Sequence, residues 1–223
     1  MTKKVLAVGA HPDDEVLGPG GTLAKHADGG DEVHVLIVTE GTTTQYDDDE
    51  LIEEKKRAAE RCADRLGVSE VHYGDLPDMK LDSVQHVEIN EVIERLVDSL
   101  EPDVVYTHSP HEVNKDHREV YDSTLVATRP ASGVEEVYTY ETPSSTEWRG
   151  GDVERFSPNR YVDISGYLDT KIEAFQEYGM EERVYPHPRS ERALRSLAET
   201  RGVAAGFDVA EAFSVVNSRV TQL

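Results

Sequence analysis

Apolar and polar residues alternate along the chain in two regular patterns, and together they predict an α/β fold. Short continuous runs of Val, Leu, Ile and Ala are typical of buried parallel strands, whereas apolar residues three and four positions apart are typical of amphipathic helices. The runs predict strands over residues 3–9, 32–39, 70–73, 104–107, 136–140, 161–164 and 212–216. The periodic stretches predict helices over 20–27, 49–66, 83–100, 169–178 and 191–200, and a further helix that ends at 128.

Strands that alternate with helices predict a doubly wound α/β sandwich with a mainly parallel sheet. The 223 residues contain one plausible core and no repeat, linker or low-complexity tract, so we expect a single domain over residues 1–223. In such a sheet the carboxyl ends of the strands open on one rim, where ligands bind. The loops at 41–46 and 74–79 are expected there, and the long loop at 142–159 is typical of a lid or a substrate wall.

The charge balance excludes some partners. The chain has 45 acidic and 23 basic residues and a net charge of −22, which argues against nucleic acids and anionic membranes as partners. The spread of acidic residues fits either a halophilic cytoplasm or an ordinary acidic protein. The single cysteine, Cys62, allows no intrachain disulfide, so a reducing, cytoplasmic location is expected. No apolar run approaches the roughly 20 residues of a membrane span, so no membrane insertion is expected.

A polar cluster follows the first predicted strand, with the sequence Ala-His-Pro-Asp-Asp-Glu at residues 10–15. Three acidic residues would repel the phosphate that a Gly-rich loop holds at this place, which argues against a nucleotide-binding Rossmann protein. The acids could simply cap the next helix. A cation site explains more of the pattern, because His11 and Asp14 can bind one ion while Asp13 stays free to act as a base.

A second polar cluster follows the strand predicted over 104–107. Either Ser109 or Asn114 in this cluster could cap the helix that follows. If both clusters meet at the rim, His11, Asp14 and His117 form a two-histidine, one-carboxylate set. Such a set is typical of catalytic zinc, which lowers the pKa of its water to about 7, and related sets hold Fe(II).

Neighbouring residues add candidate roles to this site. Asp13 lies beside the expected ligands and could take the proton of the water. Asp116 directly precedes His117 and could orient an imidazole.

The chain resembles the LmbE-like (PIG-L-like) N-acetylglucosaminyl deacetylase family. The resemblance rests on residues 10–15, on Gly-Gly-Thr-Leu-Ala at 20–24 and on the segment 110–118, and it extends over nearly the whole chain. It implies a Rossmann-like three-layer sandwich and a zinc hydrolase that removes acetyl from a small-molecule N-acetylamino sugar conjugate. By this resemblance His11, Asp14 and His117 are metal ligands and Asp13 is the general base. The family often forms oligomers, although no feature of this sequence fixes a symmetry.

Shorter matches to the family indicate substrate contacts. Arg57 with Glu60 falls on the family's Arg-x-x-Glu, and Asp78 falls on a family loop, so the resemblance implies that Arg57 and Asp78 contact substrate hydroxyls. The alternatives are a surface pair between Arg57 and Glu60, and turn chemistry for Asp78 after Pro77. Lys171 and residues 210–213 also resemble the family's C-terminal segment.

The chain departs from the family at two places. Asn114 stands where some members carry a histidine that stabilises the oxyanion or protonates the leaving amine, and an asparagine cannot shuttle a proton. The acid could then be protonated Asp13, His111 or His187. Tyr-Gly-Met-Glu at 178–181 replaces a His-x-Ser-Gln segment, which can change the substrate wall. Two other hypotheses stay open, an amide hydrolase for a different N-acyl sugar conjugate and a metal- or sugar-binding module without turnover.

Overall fold

Seven strands form one mixed sheet in the computed structural model, which describes residues 2–41 and 49–219. The strands are β1 (Lys4–Gly9), β2 (Glu32–Thr39), β3 (Glu70–Leu76), β4 (Val104–His108), β5 (Glu136–Tyr140), β6 (Arg160–Asp163) and β7 (Ala210–Ser218). Their order across the sheet is β3-β2-β1-β4-β5-β7-β6. Strands β1 to β5 pair in parallel, and β7 runs antiparallel to both β5 and β6. The predicted α/β fold with a mainly parallel sheet is therefore confirmed.

Helices cover both faces of this sheet and make three layers. They are α1 (Asp14–Leu17), α2 (Gly20–Asp28), α3 (Asp49–Leu66), α4 (His86–Leu100), α5 (Lys115–Ala127), α6 (Leu168–Gln176) and α7 (Glu191–Ala205). The apolar sides of α2, α3, α6 and α7 pack on one face, and those of α4 and α5 pack on the other. Burial of the apolar side chains on both faces of the sheet supplies the main favourable free energy of folding. Within residues 2–41 and 49–219, no helix combines the length and apolar character needed to cross a membrane.

Several predicted boundaries shift in the structure. Strand β3 continues to Leu76, and β7 begins at Ala210. Helix α4 begins at His86, because a separate 3-10 turn occupies Leu81–Ser83 and the residues after it are extended. Asn114, rather than Ser109, caps α5 by accepting a hydrogen bond from the backbone N–H of Asp116. Of the predicted rim loop at 41–46, residues 42–46 lie outside the described residues.

A buried ion pair fixes the start of α2 against the last strand. The carboxylate of Glu211 accepts hydrogen bonds from the backbone N–H groups of Gly21 and Thr22 at 2.8 and 2.7 Å. The Lys171 ammonium lies 2.6 Å from the same carboxylate and also donates to the Gly18 carbonyl. Lys171 and Glu211 are 7% and 6% exposed, so each charge depends on the other for its compensation.

Candidate active site

The turn after β1 directs three acidic side chains to three different partners. Asp13 has a φ of 111°, a strained conformation for a residue with a side chain. Its carboxylate makes no cap bond to α1 and instead lies 2.9 Å from Arg189 Nη1. Asp14 accepts a hydrogen bond from the backbone N–H of His11, and Glu15 accepts one from that of Asp13. Asp13 therefore does not cap the helix with its side chain, contrary to the interpretation that all three acids are caps.

The side chains of His11, Asp14 and His117 converge at the rim where β1 and β4 end. His11 Nδ1 lies 3.2 Å from His117 Nε2 and 3.4 Å from Asp14 Oδ2. His117 Nε2 lies 3.5 Å from Asp14 Oδ1. Tetrahedral zinc with ligands at about 2.0–2.1 Å places neighbouring ligand atoms about 3.3 Å apart. The three donors, all within 4.8 Å of one another, therefore fit a zinc ion in both type and spacing.

Two carboxylates contact the other nitrogen of His11. Its Nε2 lies 3.3 Å from Asp116 Oδ2 and 3.4 Å from Asp78 Oδ1. Asp116 is 1% exposed, and its second oxygen accepts a hydrogen bond from the backbone N–H of Leu81. Once the ring has lost its second proton, a proton held on Nε2 by these acids leaves Nδ1 with its lone pair toward the other donors.

His117 has a carboxylate partner of its own. Its Nδ1 lies 3.5 Å from Glu112 Oε2, and both atoms are buried. The other Glu112 oxygen accepts a hydrogen bond from the Thr146 hydroxyl. Neither His117 Nδ1 nor Glu112 Oε2 has a hydrogen-bond partner among the described residues, so Glu112 lies beside the ring of His117 without a hydrogen bond to it, and residue 146 of the long loop orients Glu112.

His108, the last residue of β4, completes the wall behind the cluster. Its ring stacks on that of His117 with centroids 3.9 Å apart. Its Nε2 lies 3.2 Å from Asp14 Oδ2, and its Nδ1 lies 3.2 Å from the Thr142 hydroxyl. The ring therefore holds Asp14 and His117 in place from the buried side.

The electrostatics of the cluster favour a bound cation. Burial works against ionisation of Asp14, but His117, His108 and His11 outweigh it and hold its pKa well below the usual range. Burial lowers the pKa of His117 to about 4, so its imidazole is neutral. Burial also opposes protonation of His11, yet Asp116, Asp14 and Asp78 raise its pKa to about 10. Metal binding at His11 would therefore displace a proton.

Asp13 has a protonation behaviour suited to a base. Burial raises its pKa to about 8, against the opposing effect of the Arg189 guanidinium. General bases work best when their pKa lies near the operating pH. Burial likewise raises the pKa of Asp78, which lies on the other side of His11.

A polar cavity of about 120 Å³ opens beside these residues. Its lining comprises His11, Pro12, Asp13, Gly41, Lys55, Asp78, Met79, Asn114, Glu181 and Arg189. Glu181 bridges the two cations of this wall, with Lys55 Nζ at 3.1 Å and Arg189 Nη1 at 3.0 Å. A continuous chain of opposite charges thus leads from Lys55 to Asp13.

Some of the predicted site residues line this cavity and others do not. Asp78 and Asn114 line it, and the Asn114 amide approaches Met79 Sδ at 3.7 Å. Among the described residues, the lining does not include Arg57, which is exposed on α3, or His111. His187, which is also absent from the lining, makes an edge-to-face contact with Trp148, with ring centroids 5.5 Å apart.

Sequence reasoning missed four side chains that shape the site. His108 and Glu112 belong to the recognised second cluster, and their positions at a strand end and beside the helix start were the available signals. Lys55 lies on the predicted helix two residues before Arg57. Arg189 carries no local signal, because its contact with Asp13 spans 176 residues.

Comparison with known proteins reveals a family match over the half of the chain that carries the cluster. The family model described as PIG-L, GlcNAc-PI de-N-acetylase, matches residues 6–128. A diacetylchitobiose deacetylase of Thermococcus kodakarensis is 28% identical over 228 residues, covering 96% of this chain and 83% of that protein. A 4-oxalmesaconate hydratase of Pseudomonas putida is 27% identical over 249 residues, covering 99% and 92%.

The fold is also found in a solved structure. The N,N'-diacetylchitobiose deacetylase from Pyrococcus horikoshii, in complex with its inhibitor, superposes with a TM-score of 0.79. The match covers 96% of this chain and 84% of that one at 23% sequence identity. At this level of identity the likeness establishes the shared fold, so the chemistry must be argued from the side chains.

Proposed function

The chain belongs to the GlcNAc-PI de-N-acetylase (PIG-L) family, and on this premise we propose that it is a metal-dependent hydrolase that removes acetyl from an N-acetylamino sugar conjugate. The observation that carries the proposal is the pairing of a zinc-compatible donor set with a separate buried carboxylate. His11, Asp14 and His117 supply the donors, and Asp13 projects from the same turn into the cavity. A module that only bound a metal or a sugar would have no use for that carboxylate.

The chain's own groups can perform the proton transfers of amide hydrolysis. A zinc ion, when bound, polarises a carbonyl and acidifies a water molecule. Asp13 accepts the proton of the attacking water, because its raised pKa makes the carboxylate a stronger base than an exposed aspartate. The same Asp13 oxygen then returns the proton to the leaving amine. The Asn114 amide lines the cavity and can donate a hydrogen bond to the developing oxyanion.

The charges in the cavity favour an uncharged substrate. Lys55 and Arg189 are the lysine and arginine of its described lining, and both are already paired with Glu181 or Asp13. The hydratase relative acts, by its name, on a carboxylate, and such an anion would have to displace these internal partners. An acetamido sugar brings no charge and can use Asp78 and Asn114 as hydrogen-bond partners for its hydroxyls.

Hydration of a carbon–carbon double bond is the second candidate, since the hydratase relative covers 99% of the chain. A water molecule and a base would serve that reaction as well. The two reactions differ in their products, because hydration adds water without releasing acetate.

The deciding experiment combines metal analysis with acetate release from N-acetylglucosamine conjugates, including N-acetylchitooligosaccharides. We expect zinc-dependent acetate release from the wild type, and a loss of at least about 10³-fold in kcat for Asp13→Ala with unchanged zinc content. Asp82→Ala, which removes an exposed aspartate paired with Lys115, is the matched control and should retain full activity. Normal turnover in Asp13→Ala would exclude it as the base.

A further inference from the structure

Two histidines lie in contact at the end of the sheet opposite the candidate active site. His34 is near the start of β2, and His72 is near the start of β3. His34 Nδ1 lies 3.0 Å from His72 Nε2, and the rings stack with centroids 5.3 Å apart. The five residue-to-residue steps along β2 from His34 to Thr39 span about 16 Å. The pair is therefore separate from the cluster at the carboxyl ends of the strands.

Two carboxylates accompany this histidine pair. Glu70 Oε2 lies 3.8 Å from His72 Nε2, and Glu32 Oε1 lies 3.1 Å from His34 Nε2. One ligand atom from each of His34, Glu70 and His72 falls within 4.8 Å of the others. The Glu70 side chain is 63% exposed, so an ion can enter from solvent.

The backbone of the sheet holds these side chains in register. His34 lies opposite Glu70, and Leu36 lies opposite His72, in the parallel pairing of β2 with β3. Residues two apart on a strand project from the same face, so His34, Glu70 and His72 all point to one side of the sheet. Donors fixed by strand pairing need little rearrangement to bind an ion, which lowers the entropic cost of binding.

The spacing of the donors matches a transition-metal site. Zinc held by two imidazole nitrogens at about 2.0–2.1 Å separates those nitrogens by about 3.3 Å, close to the distance between His34 and His72. We propose that His34, His72 and Glu70 bind a second divalent transition-metal ion, Zn²⁺, with water completing its coordination. Imidazole and carboxylate are suitable ligands for this class of ion.

The proposed metal site lies at the edge of the sheet, so we expect it to act on the stability of the fold. Strand β3 is at the edge of the sheet and pairs with β2 alone among the described strands. A metal ion bound to His34 and His72 crosslinks this edge strand to its neighbour and stabilises the folded state through linkage. Its removal is expected to destabilise β3 without changing the ligands of the other site.

Zinc titration by equilibrium dialysis at micromolar free Zn²⁺ tests the proposal on the full chain. We expect His72→Gln to bind one zinc ion per chain fewer than the protein into which it is introduced. The substitution is made both in the wild type and in His117→Ala, and the same difference is expected in both, so the test is independent of the outcome at the candidate active site. Glu70 is at an exposed position, and we expect Glu70→Gln to lower the affinity of this second site for Zn²⁺ by about tenfold or more. His72→Gln should keep the wild-type kcat in the metal-saturated enzyme.

The matched control is His86→Gln, which removes a histidine of α4 that is 46% exposed and lies 3.9 Å from Glu119. It should leave the zinc count unchanged. The melting temperature should rise with Zn²⁺ in His117→Ala and lose that rise when His72→Gln is added. Equal zinc counts for parent and His72→Gln would overturn the proposal and leave His34 and His72 as an imidazole–imidazole hydrogen bond only.

Discussion

Replacement of Arg189 by Gln removes the cation that faces the candidate base. Arg189 Nη1 lies 2.9 Å from Asp13 Oδ2 and 3.0 Å from Glu181 Oε2. Glutamine keeps a hydrogen-bond donor at this position and removes the charge. The Asp13 carboxylate then lies near Glu181 without the intervening cation, so its ionised form becomes less favourable and its pKa rises further.

Coulomb's law sets the size of this effect. Two unit charges about 4 Å apart attract by about 4 kcal/mol at an effective dielectric constant of about 20. Because Arg189 divides its charge between two carboxylates and its side chain is 24% exposed, we take half of that value, about 2 kcal/mol. At 1.36 kcal/mol per pH unit, the midpoint of Asp13 ionisation moves upward by about 1.5 pH units. Burial already raises that pKa to about 8, so the ionised fraction at pH 7 falls by about thirtyfold.

The assay is the pH profile of kcat for acetate release. We expect Arg189→Gln to lose about thirtyfold in kcat at pH 7 and to recover most of it at high pH, with the rising limb shifted by about 1.5 pH units. Arg183→Gln is the matched control, because Arg183 lies 3.6 Å from Glu181 and makes no described contact with Asp13. Its kcat should change by about twofold at most. A loss in Arg189→Gln that is equal at every pH would refute the electrostatic argument and indicate a substrate contact.

Three other substitutions test separate parts of the structure. Asp116→Asn should lower zinc affinity by about 10–100-fold in competition with a chelator, since it removes the anion beside His11 Nε2; unchanged affinity would contradict this role. Lys171→Met should cost about 3–5 kcal/mol in urea unfolding, because Glu211 loses its buried counter-charge; a loss below about 1 kcal/mol would mean that the pair contributes little. Lys55→Ala should raise KM more than Arg57→Ala, because Lys55 lines the cavity and Arg57 is exposed; the reverse order would favour the substrate contact that the family resemblance implies for Arg57.

The sheet could be predicted from sequence where burial dominates. Strands β2 and β5 have the predicted bounds, because every residue after their first glutamate is buried and most are Val, Ile, Thr or Tyr, which favour strands. Strand β3 was predicted too short, since Gly74 and Asp75 are poor strand residues. They lie at an irregularity in the pairing with β2, which resumes where Leu76 lies opposite Thr39. Helix α4 was predicted three residues too long, because the turn at Leu81–Ser83 is held in part by the distant side chain of Asp116.

The candidate site was predictable to the extent that topology dictates it. His11 and His117 follow neighbouring parallel strands, so their proximity follows from the shared rim. Their roles as ligands stay a prediction until a metal is measured. Glu181 and Arg189 come from the segment between α6 and α7, whose path depends on packing across the whole molecule. No local pattern could place them beside Asp13.

The long-range bonds of the acidic turn set an order of events during synthesis. Asp13 meets Arg189 across 176 residues, and Gly21 meets Glu211 across 190. Asp13 leaves the ribosome long before Arg189, and Gly21 leaves it long before Glu211. Contacts of such sequence separation form late in folding. A nascent chain therefore carries Asp13 without its guanidinium partner while the 176 positions up to Arg189 are synthesised.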